Sequence, residues 1–493
     1  MAVSVDTTSS RSPSQRPAPF PSLLIRADGY EARGAFAQAQ AMFLEPDPGV
    51  VRELCAQLDA TEAGVVAHFY MDAELQGVLA ALDSPRVHIA DSLMMADRAV
   101  KMAEGGAKVI FVLGVDFMSE NVRATLDGSG FAHVPVYRVA ERDIGCSLAE
   151  AAESTAYAAY IEKASRTPRS LHVIYVNTSL RVKGEAQKRL PTITCTSSNV
   201  LSLVLEAFAT VPELHVWFGP DTYMGHNLAT MLRAYAELPN EAIARLHPAH
   251  DQASLRSVAE RFHWFEQGAC VVHHMFGQDV VNRVRRDYAD AFVTAHLEVP
   301  GEMFALGFEA QRQGRGVVGS TSNILDFILA AVKRASAPGQ PTNLRFVLGT
   351  ESGMSTSVAR AVRTTLEEIA AEGGPSMTAE IVFPVASEAI AQTDETELPI
   401  MPDVTAGEGC STAGGCASCP YMKMSSLNAL QDSLARLASG ASMARYAPKR
   451  LTDPKLAVLG GETIASMRAL QRTRKLPPEL VAALLGSGSA PKS

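Results

Sequence analysis

The chain has 493 residues, a formal net charge of −9 and a sequence pI near 5.8. This acidic balance argues against a nucleic-acid partner, because phosphate binding requires a basic face. No apolar run approaches the roughly 18 residues that suggest a membrane span, so we expect no membrane partner. With 47% hydrophobic and 20% charged residues, the chain is predicted to be globular, with several domains and a large core.

The predicted elements begin after a Ser-, Pro- and Arg-rich start. Residues 1–25 predict a disordered tail, with an organellar transit peptide as the alternative. Short apolar runs then alternate with helical segments, which predicts parallel α/β layers. These runs are AGVVAHFY, KVIFVLG, LHVIYVN, LHVWFG, DAFVTAHLE, GVVGST and LRFVLG. Residues from about 385 to 418 predict a long loop, and the last residues predict a flexible tail.

A series of four features occurs three times along the chain: a strand with a polar tip, a hydroxyl residue, a methionine and a cysteine. In this order they are His68, Ser92, Met118 and Cys146, then Tyr175, Ser197, Met224 and Cys270, then His296, Thr321, Met354 and Cys419. Ligands of open parallel sheets bind beyond the carboxyl ends of the strands. Three such units about a pseudo-threefold axis would therefore direct all tips and cysteines at one central cavity.

Seven cysteines, an odd number in a chain where we expect no secretory leader, favour metal or cluster ligation over disulfides. One thiolate from each block gives three soft ligands, Cys146, Cys270 and Cys419. A structural zinc site needs four protein ligands, and no second CxxC accompanies the one that ends at Cys419. A cubane iron–sulfur cluster takes one thiolate per iron, so three thiolates leave one iron open as a Lewis acid. For Cys55 and Cys195 we favour ordinary core roles.

The predicted fold is α/β, with three pseudo-threefold-related α/β/α sandwich domains whose parallel sheets surround a central, cluster-containing cavity. The predicted boundaries are a flexible N-terminal extension over 1–41, α/β repeats over 42–146, 147–270 and 271–435, and a C-terminal extension over 436–493. No dinucleotide-binding or P-loop glycine motif occurs, so neither of those folds is supported.

From about residue 42 to 435, the chain resembles the quinolinate synthase family. The resemblance rests on the strings AHFYMDAELQ, DSLMMA, GVDFMSE, YVNTS, CTSSN, CVVHH, AHLEVPGEM, GSTSNIL, GTESGM and CPYMKM, in this order. It is similar to the longer form found in plants and some bacteria, without the sulfur-transfer domain fused to the plant enzymes. In short forms HPEC stands where this chain has HLEV, so Val299 replaces a cysteine that is not a cluster ligand. An insert between about 226 and 262 is absent from short forms.

This resemblance implies a 4Fe-4S (four-iron, four-sulfur) cluster held by Cys146, Cys270 and Cys419. It implies condensation of iminoaspartate with dihydroxyacetone phosphate to quinolinate, with loss of phosphate and water, in NAD biosynthesis. The functional partner would be an L-aspartate oxidase or an aspartate dehydrogenase that supplies iminoaspartate. We expect a cytoplasmic location, with a plastid as the alternative if residues 1–25 are a transit peptide.

The substrates carry carboxylates and a phosphate, yet the motifs contain little arginine. Hydroxyls, imidazoles and N–H groups at helix starts are therefore expected to bind the anions. The resemblance implies a substrate pocket lined by His68, Ser92, Tyr175, Asn177, Ser197, His296 and Thr321. For proton transfer, the best candidates are Tyr70, Tyr175 and Glu298.

Several readings of these residues stay open. Ser197 and Ser322 are alternatively plain helix N-caps. His273 and His274 are either neighbours of Cys270 or merely helix residues. Lys183 and Lys423 are equally well explained as residues that assist anion binding and as lysines on a solvated face.

Two other function classes also stay open. A divalent-metal aldolase or hydrolase would use His296, Glu298 and His68 as ligands, but it leaves the three matched cysteines without a role. A non-catalytic iron–sulfur sensor of oxygen or iron would share the cluster and need no proton-transfer groups.

Overall fold

The computed structural model describes residues 19–273, 276–385 and 419–486, and only the backbone of residues 410–411 and 415–416. It confirms the predicted α/β class, because this part of the chain contains three mainly parallel sheets with helices packed around them. The start of the predicted N-terminal tail, nearly all of the predicted loop over about 385–418, His274 and the last seven residues lie outside the described residues.

The first unit surrounds a four-stranded parallel sheet. Its elements are α2 (Pro48–Thr61), β3 (Ala63–His68), α3 (Ala73–Ala81), β4 (Val87–Ala90), α4 (Ser92–Glu104), β5 (Val109–Leu113), α5 (Asp116–Gly128), β6 (Val136–Tyr137) and α6 (Ser147–Ala152). Strands β3 and β5 are buried along their whole length, as strands covered on both faces must be. Asp47, Asp72 and Asp91 accept backbone N–H groups at the starts of α2, α3 and α4.

The second unit repeats this plan and adds two helices within the 226–262 insert. Its elements are α7 (Thr155–Ser165), β7 (Ser170–Tyr175), α8 (Leu180–Arg189), β8 (Thr192–Cys195), α9 (Val200–Thr210), β9 (His215–Gly219), α10 (Thr222–Tyr235), α11 (Asn240–Leu246), α12 (Gln252–Arg261) and β10 (Phe262–Trp264). His247 and His250 join the insert to α9, through Glu206 and the carbonyl of Leu205. The insert is therefore part of the second unit.

The third unit has the largest sheet, with six strands. Its elements are α13 (Gln278–Asp287), β11 (Phe292–His296), α14 (Gly301–Arg312), β12 (Gly316–Gly319), α15 (Thr321–Ala335), β13 (Asn343–Gly349), α16 (Met354–Ala371) and β14 (Thr378–Val382), with β1 (Ser22–Arg26), β2 (Gly29–Arg33) and α1 (Ala35–Ala41) added from the N-terminal region.

The N-terminal strands differ from the flexible extension that the sequence predicted over residues 1–41. Strand β1 pairs antiparallel with β14, and β2 pairs antiparallel with β1. The apolar side chains of Leu23, Leu24 and Ile25 are buried in this arrangement. The surrounding Ser and Pro residues suggested disorder, whereas the edge of β14 provides backbone partners and an apolar surface that a reading of local composition does not include.

All three units share one strand order. With the strands of each unit taken in chain order, the sequence across the sheet is second, first, third, fourth: β4-β3-β5-β6, β8-β7-β9-β10 and β12-β11-β13-β14. Neighbours within these four-strand sets are parallel. In this order, ligands bind between the first and third strands, at their carboxyl ends. The first strands end at His68, Tyr175 and His296.

The remaining elements follow the third unit. They are the short strands β15 (Cys410–Ser411) and β16 (Gly415–Cys416), the 3₁₀ helices Met422–Met424 and Ala444–Tyr446, and the helices α17 (Leu427–Ala438), α18 (Pro454–Thr473) and α19 (Pro478–Gly486). Helix α18 packs against α8, β8 and α5, so it links the first and second units. The Thr463 hydroxyl on α18 lies 2.8 Å from that of Thr194 on β8. Within the described ranges, no helix combines the length and apolarity required to cross a membrane.

Candidate active site

The carboxyl ends of the first strands meet at a cavity of ≈ 70 Å³ between the three units. Every site residue predicted from the sequence lies in its lining: His68, Tyr70, Ser92, Cys146, Tyr175, Asn177, Ser197, Cys270, His296, Glu298, Thr321 and Cys419. Cys55 and Cys195 are not among the lining residues. The structure thus brings the matched residues of the three repeats together, while the role of each residue stays a prediction.

Each of the three cysteines has at least one backbone N–H group close enough to its sulfur to lower the pKa of the thiol. Cys146 directly precedes α6, and Cys419 lies shortly before the 3₁₀ helix Met422–Met424. The donors are Leu148 and Ala149 for Cys146, His273 for Cys270, and Tyr421 and Met422 for Cys419. N–H groups near the sulfur favour the thiolate form, which is the form that binds metal.

Burial acts in the opposite direction on the same thiols. It raises the pKa of Cys146 to about 11 and that of Cys419 to about 12, and it raises the pKa of Cys270 well above the usual range. A bound cationic iron centre would counter this cost, because a metal ion deprotonates the thiol that coordinates it. Three soft sulfur donors, one from each sequence repeat, fit an iron–sulfur cluster with three protein ligands.

Glu298 is a buried carboxylate that follows the tip of β11. Its Oε1 accepts a hydrogen bond from the Tyr175 hydroxyl, and its Oε2 lies 3.1 Å from Nδ1 of His273. Burial alone would raise the pKa of Glu298, but the charge of the His296 and His273 imidazoles in their protonated form and the hydrogen bond from Tyr175 outweigh burial and lower it below the usual range. Glu298 is therefore ionised at neutral pH, in contact with a phenol from the second unit.

The two histidine tips have the same local geometry. The backbone N–H of Tyr70 donates to Nδ1 of His68 at 3.2 Å, and that of Glu298 donates to Nδ1 of His296 at 3.3 Å. Burial lowers the pKa of His68 to about 3 and that of His296 to about 4, so both rings are neutral at neutral pH. A neutral ring that accepts at Nδ1 carries its proton on Nε2. Each tip thus offers an Nε2–H donor.

Three helix starts also reach the cavity. Ser92 is the first residue of α4, Thr321 is the first residue of α15, and Ser197 lies in the turn before α9. The alternative in which Ser197 and Ser322 are N-caps does not match the structure, because Asn199 and Ser320 occupy those positions. Backbone N–H groups at helix starts favour anions, as the predicted carboxylate and phosphate substrates require.

Glu351, which follows β13, is a functional candidate that the sequence did not indicate. Its Oε1 accepts the backbone N–H of Cys419 at 2.9 Å, and its Oε2 accepts that of Gly353 at 2.7 Å. Burial raises its pKa to about 8, although both N–H groups act in the opposite direction. This carboxyl holds the backbone of Cys419 in place. The string GTESGM carried the family resemblance but did not indicate this distant partner.

His273 was left undecided by the sequence, and the structure places it in the cavity. Its ring stacks on His296 with centroids 4.9 Å apart and planes at 9°. The potential ligand atoms of Cys270, His273 and Glu298 all lie within 4.8 Å of one another, so these residues are able to hold a single metal ion. This set differs from the His296, Glu298 and His68 ligands of the divalent-metal alternative.

Lys183 occupies neither of the positions considered from the sequence. It is fully buried, and its Nζ donates to the carbonyls of Val176 and Thr178 beside the Tyr175 tip. Burial lowers its pKa to about 7, against the charge of nearby Glu120. Lys183 therefore binds backbone rather than solvent or a substrate anion. Lys423 lies close enough to Glu351 to lower the pKa of that carboxyl.

The fold and the cavity define an α/β protein whose candidate active site lies between three units, and comparisons with known proteins identify it as a member of an enzyme family. A family model described as "NadA: Quinolinate synthetase A protein" matches residues 51–450. The chain is 49% identical over 486 residues to "Quinolinate synthase, chloroplastic" of Nicotiana tabacum, covering 96% of this chain and 67% of the relative. It is 50% identical over 489 residues to the Arabidopsis thaliana protein of the same name, covering 96% and 68%.

The rice relative, also named "Quinolinate synthase, chloroplastic", is 48% identical over 504 residues, covering 97% of this chain and 71% of its own length. The chain thus spans about two thirds of the length of these relatives. It belongs to the quinolinate synthase family of NAD biosynthesis, as its sequence motifs predicted.

Proposed function

We propose that this chain condenses iminoaspartate with dihydroxyacetone phosphate to quinolinate, with loss of phosphate and water, at a 4Fe-4S cluster held by Cys146, Cys270 and Cys419. The observation that carries this proposal is the convergence of three thiols, one from each sequence repeat, on the cavity that the three strand tips also line. When bound, the cluster supplies a Lewis-acidic iron that lacks a protein ligand.

The anionic groups of the substrates are bound by neutral donors. The Nε2–H groups of His68 and His296 are suited to carboxylate oxygens, and the hydroxyls of Ser92, Ser197 and Thr321 accompany helix-start N–H groups. Because the imidazoles are neutral, they orient the substrate without adding charge to a small, largely buried cavity. Such neutral donors would let a cavity whose described lining contains no arginine accommodate dianionic substrates.

Proton transfer is assigned to Glu298 and to two phenols. Ring formation removes protons from carbon next to carbonyl and imine groups, and Glu298 is an ionised carboxylate able to take them at Oε2. Tyr175 donates to Oε1, which orients the carboxylate. The Tyr70 hydroxyl, 3.1 Å from that of Thr350, is protonated because burial raises its pKa. Tyr70 is therefore placed to give a proton to a departing hydroxyl group.

The direct test supplies both substrates to protein purified without oxygen, with iminoaspartate generated in the assay by an L-aspartate oxidase or an aspartate dehydrogenase. We expect quinolinate and phosphate to form in equal amounts. Release of phosphate without quinolinate, or no reaction of either substrate with cluster-loaded protein, would contradict the proposed reaction.

Exposure to air is expected to inactivate the enzyme. An iron without a protein ligand must be reachable by substrate and hence by oxygen. We expect activity and the brown colour of the protein to disappear together in air and to return in part with iron, sulfide and a reductant. Activity and absorbance followed on one sample test this. Activity that outlasts the colour would contradict the role of the cluster.

Glu351→Gln is expected to loosen the cluster. An amide has one acceptor oxygen, so it cannot accept both the Cys419 and the Gly353 N–H groups, and the Cys419 backbone loses its fixed position. We expect iron to be released to a chelator about 10- to 100-fold faster, the usual effect of removing a partner that supports a ligand. Exposed Glu150 on α6, near Cys146, provides the matched Glu150→Gln control, which should release iron at the parent rate. Parent-like iron release by Glu351→Gln would refute the positioning role.

The location within the cell rests on the relatives' names. We predicted a cytoplasmic location with a plastid as the alternative. The names of the plant relatives, all ending in "chloroplastic", support the plastid alternative, and nothing in the comparisons supports the cytoplasmic prediction.

A further inference from the structure

Asn227 on α10 of the second unit holds the backbone on both sides of Glu298 in the third unit. Its side chain is fully buried. Its Nδ2 donates to the carbonyl of Leu297 at 2.9 Å and to that of Val299 at 2.8 Å. Both hydrogens of one amide group are thus used to fix the peptide group that directly precedes the proposed base and the one that follows Val299.

At the second strand tip, the backbone carbonyls at the two equivalent positions are also held by hydrogen bonds. Val176 and Thr178 follow Tyr175 at the positions where Leu297 and Val299 follow His296, and their carbonyls accept from Nζ of Lys183. The amide of Asn121, from the first unit, lies 3.5 Å from the Val176 carbonyl. A buried nitrogen donor therefore fixes equivalent backbone positions in two of the repeats.

The first strand tip is fixed from its own unit and from the third. Nε2 of Gln76 donates at 2.7 Å to the carbonyl of Met71, the position equivalent to Val299, and also at 2.7 Å to that of Gly353. The Ser357 hydroxyl lies 3.4 Å from Oε1 of Gln76. Each tip loop is thus held by a buried donor that is not among the residues lining the cavity.

The contributing positions follow the repeat. Asn121, Asn227 and Ser357 each lie three residues after the repeated methionine of their unit. Each reaches the strand tip of the next unit or the donor that holds it, in the cyclic order first to second, second to third and third to first. The contacts therefore set the three tips relative to one another, across the unit boundaries.

Asn227, like Asn121, has a buried amide oxygen whose presence stability does not explain. Its Oδ1 is buried and makes no hydrogen bond within the described ranges. A buried acceptor without a partner destabilises the folded state, and an apolar side chain of similar shape would avoid that cost. Retention of the amide is consistent with a requirement for its two donors.

We propose that Asn227 is a positioning residue for Glu298, acting from the second unit on the carboxylate of the third. The inference rests on the proposed function of Glu298. Because the Leu297 and Val299 carbonyls are fixed, the Glu298 carboxylate is held where it accepts the Tyr175 hydroxyl and can reach the substrate carbon. Without the amide, the loop at the end of β11 turns, and the distance between the Glu298 carboxylate and the substrate carbon changes.

The test is a double-mutant cycle on cluster-loaded protein. Asn227→Leu keeps the size and removes both donors; we expect kcat to fall about 100-fold, the cost of a misplacement of about 1 Å, with KM within about threefold and iron content unchanged. In a Glu298→Gln background, the same change should lower kcat less than about threefold, because the group it positions is already inactive. Asn227→Ser, a smaller side chain, should show the same non-additivity if Asn227→Leu does not fold.

Thr463→Val provides the structural control. Thr463 is also fully buried and also makes two hydrogen bonds, to Thr194 and to the carbonyl of Gly460. We expect it to lower the Tm, and any small effect on kcat should be the same with Glu298 or with glutamine at position 298. An Asn227 variant that keeps the parent kcat overturns the inference. The inference is also overturned if the kcat reduction of the double variant equals the product of the reductions caused by the Asn227 change and by Glu298→Gln alone. Parent-like turnover by Glu298→Gln alone would instead refute the proposed role of Glu298.

Discussion

Cys270→Ser is expected to abolish quinolinate formation and to remove or destabilise the cluster, and Cys146→Ser and Cys419→Ser are expected to do the same. Serine offers a hard oxygen ligand that is a poor replacement for a soft thiolate on iron. The fold itself should be retained, because the hydroxyl is close in size to the thiol and can accept the same backbone N–H groups. At Cys146, which directly precedes α6, serine is even a favourable helix cap.

The matched controls are Cys55→Ser and Cys195→Ser. Neither cysteine belongs to the cavity lining, so iron content should be unchanged in both variants. Cys195 is fully buried at the end of β8, and its replacement is expected to lower only stability. Iron content, absorbance and activity measured on each variant separate the two groups. A full iron complement with full activity in Cys270→Ser would refute the ligand assignment.

Glu298→Gln is expected to lower turnover by about 10²- to 10⁴-fold, the usual contribution of a positioned acid or base. The amide oxygen still accepts the Tyr175 hydroxyl, so the shape of the site is kept. It cannot accept a proton at neutral pH. We therefore expect normal iron content and near-normal substrate binding, with only the chemical step impaired.

A purely structural Glu298 predicts a different result, namely a lower Tm with turnover largely kept. One such role would be to cap α14, but Pro300 occupies the cap position of that helix and makes no side-chain cap. Exposed Glu302, in the first turn of α14, gives the control Glu302→Gln, which should have parent turnover. Tm, iron content and quinolinate formation measured on one preparation decide between the two roles.

Much of the site was predictable because it is carried by repeated local signals. A polar residue at the end of an apolar strand and a hydroxyl at a helix start recur in three blocks, and parallel sheets bring such ends together. Taken alone, His68 or His296 would have been interpreted as an ordinary core histidine at the end of a strand. Their equivalent positions indicated a shared cavity, and the structure brings both into its lining.

The positioning residues were not predictable, because their partners are distant backbone atoms. Glu351 accepts the N–H of Cys419, and Asn227 donates to the carbonyls beside Glu298. Asn227 does share with Asn121 a place three residues after a repeated methionine, but this spacing does not indicate a backbone partner in the next unit. The position of Lys183 could not be predicted for the same reason. Its amphipathic helix α8 suggests a solvated lysine, but α18 packs on α8 and this side chain is fully buried.

The most direct test measures iron, acid-labile sulfide and quinolinate formation on one preparation purified without oxygen, before and after treatment with a chelator. We predict about four iron and four sulfide per chain, as a cubane cluster requires, and a loss of turnover in proportion to the iron removed. Quinolinate formation by iron-free protein would contradict the proposal. A single metal ion without sulfide, held by Cys270, His273 and Glu298, would also contradict it.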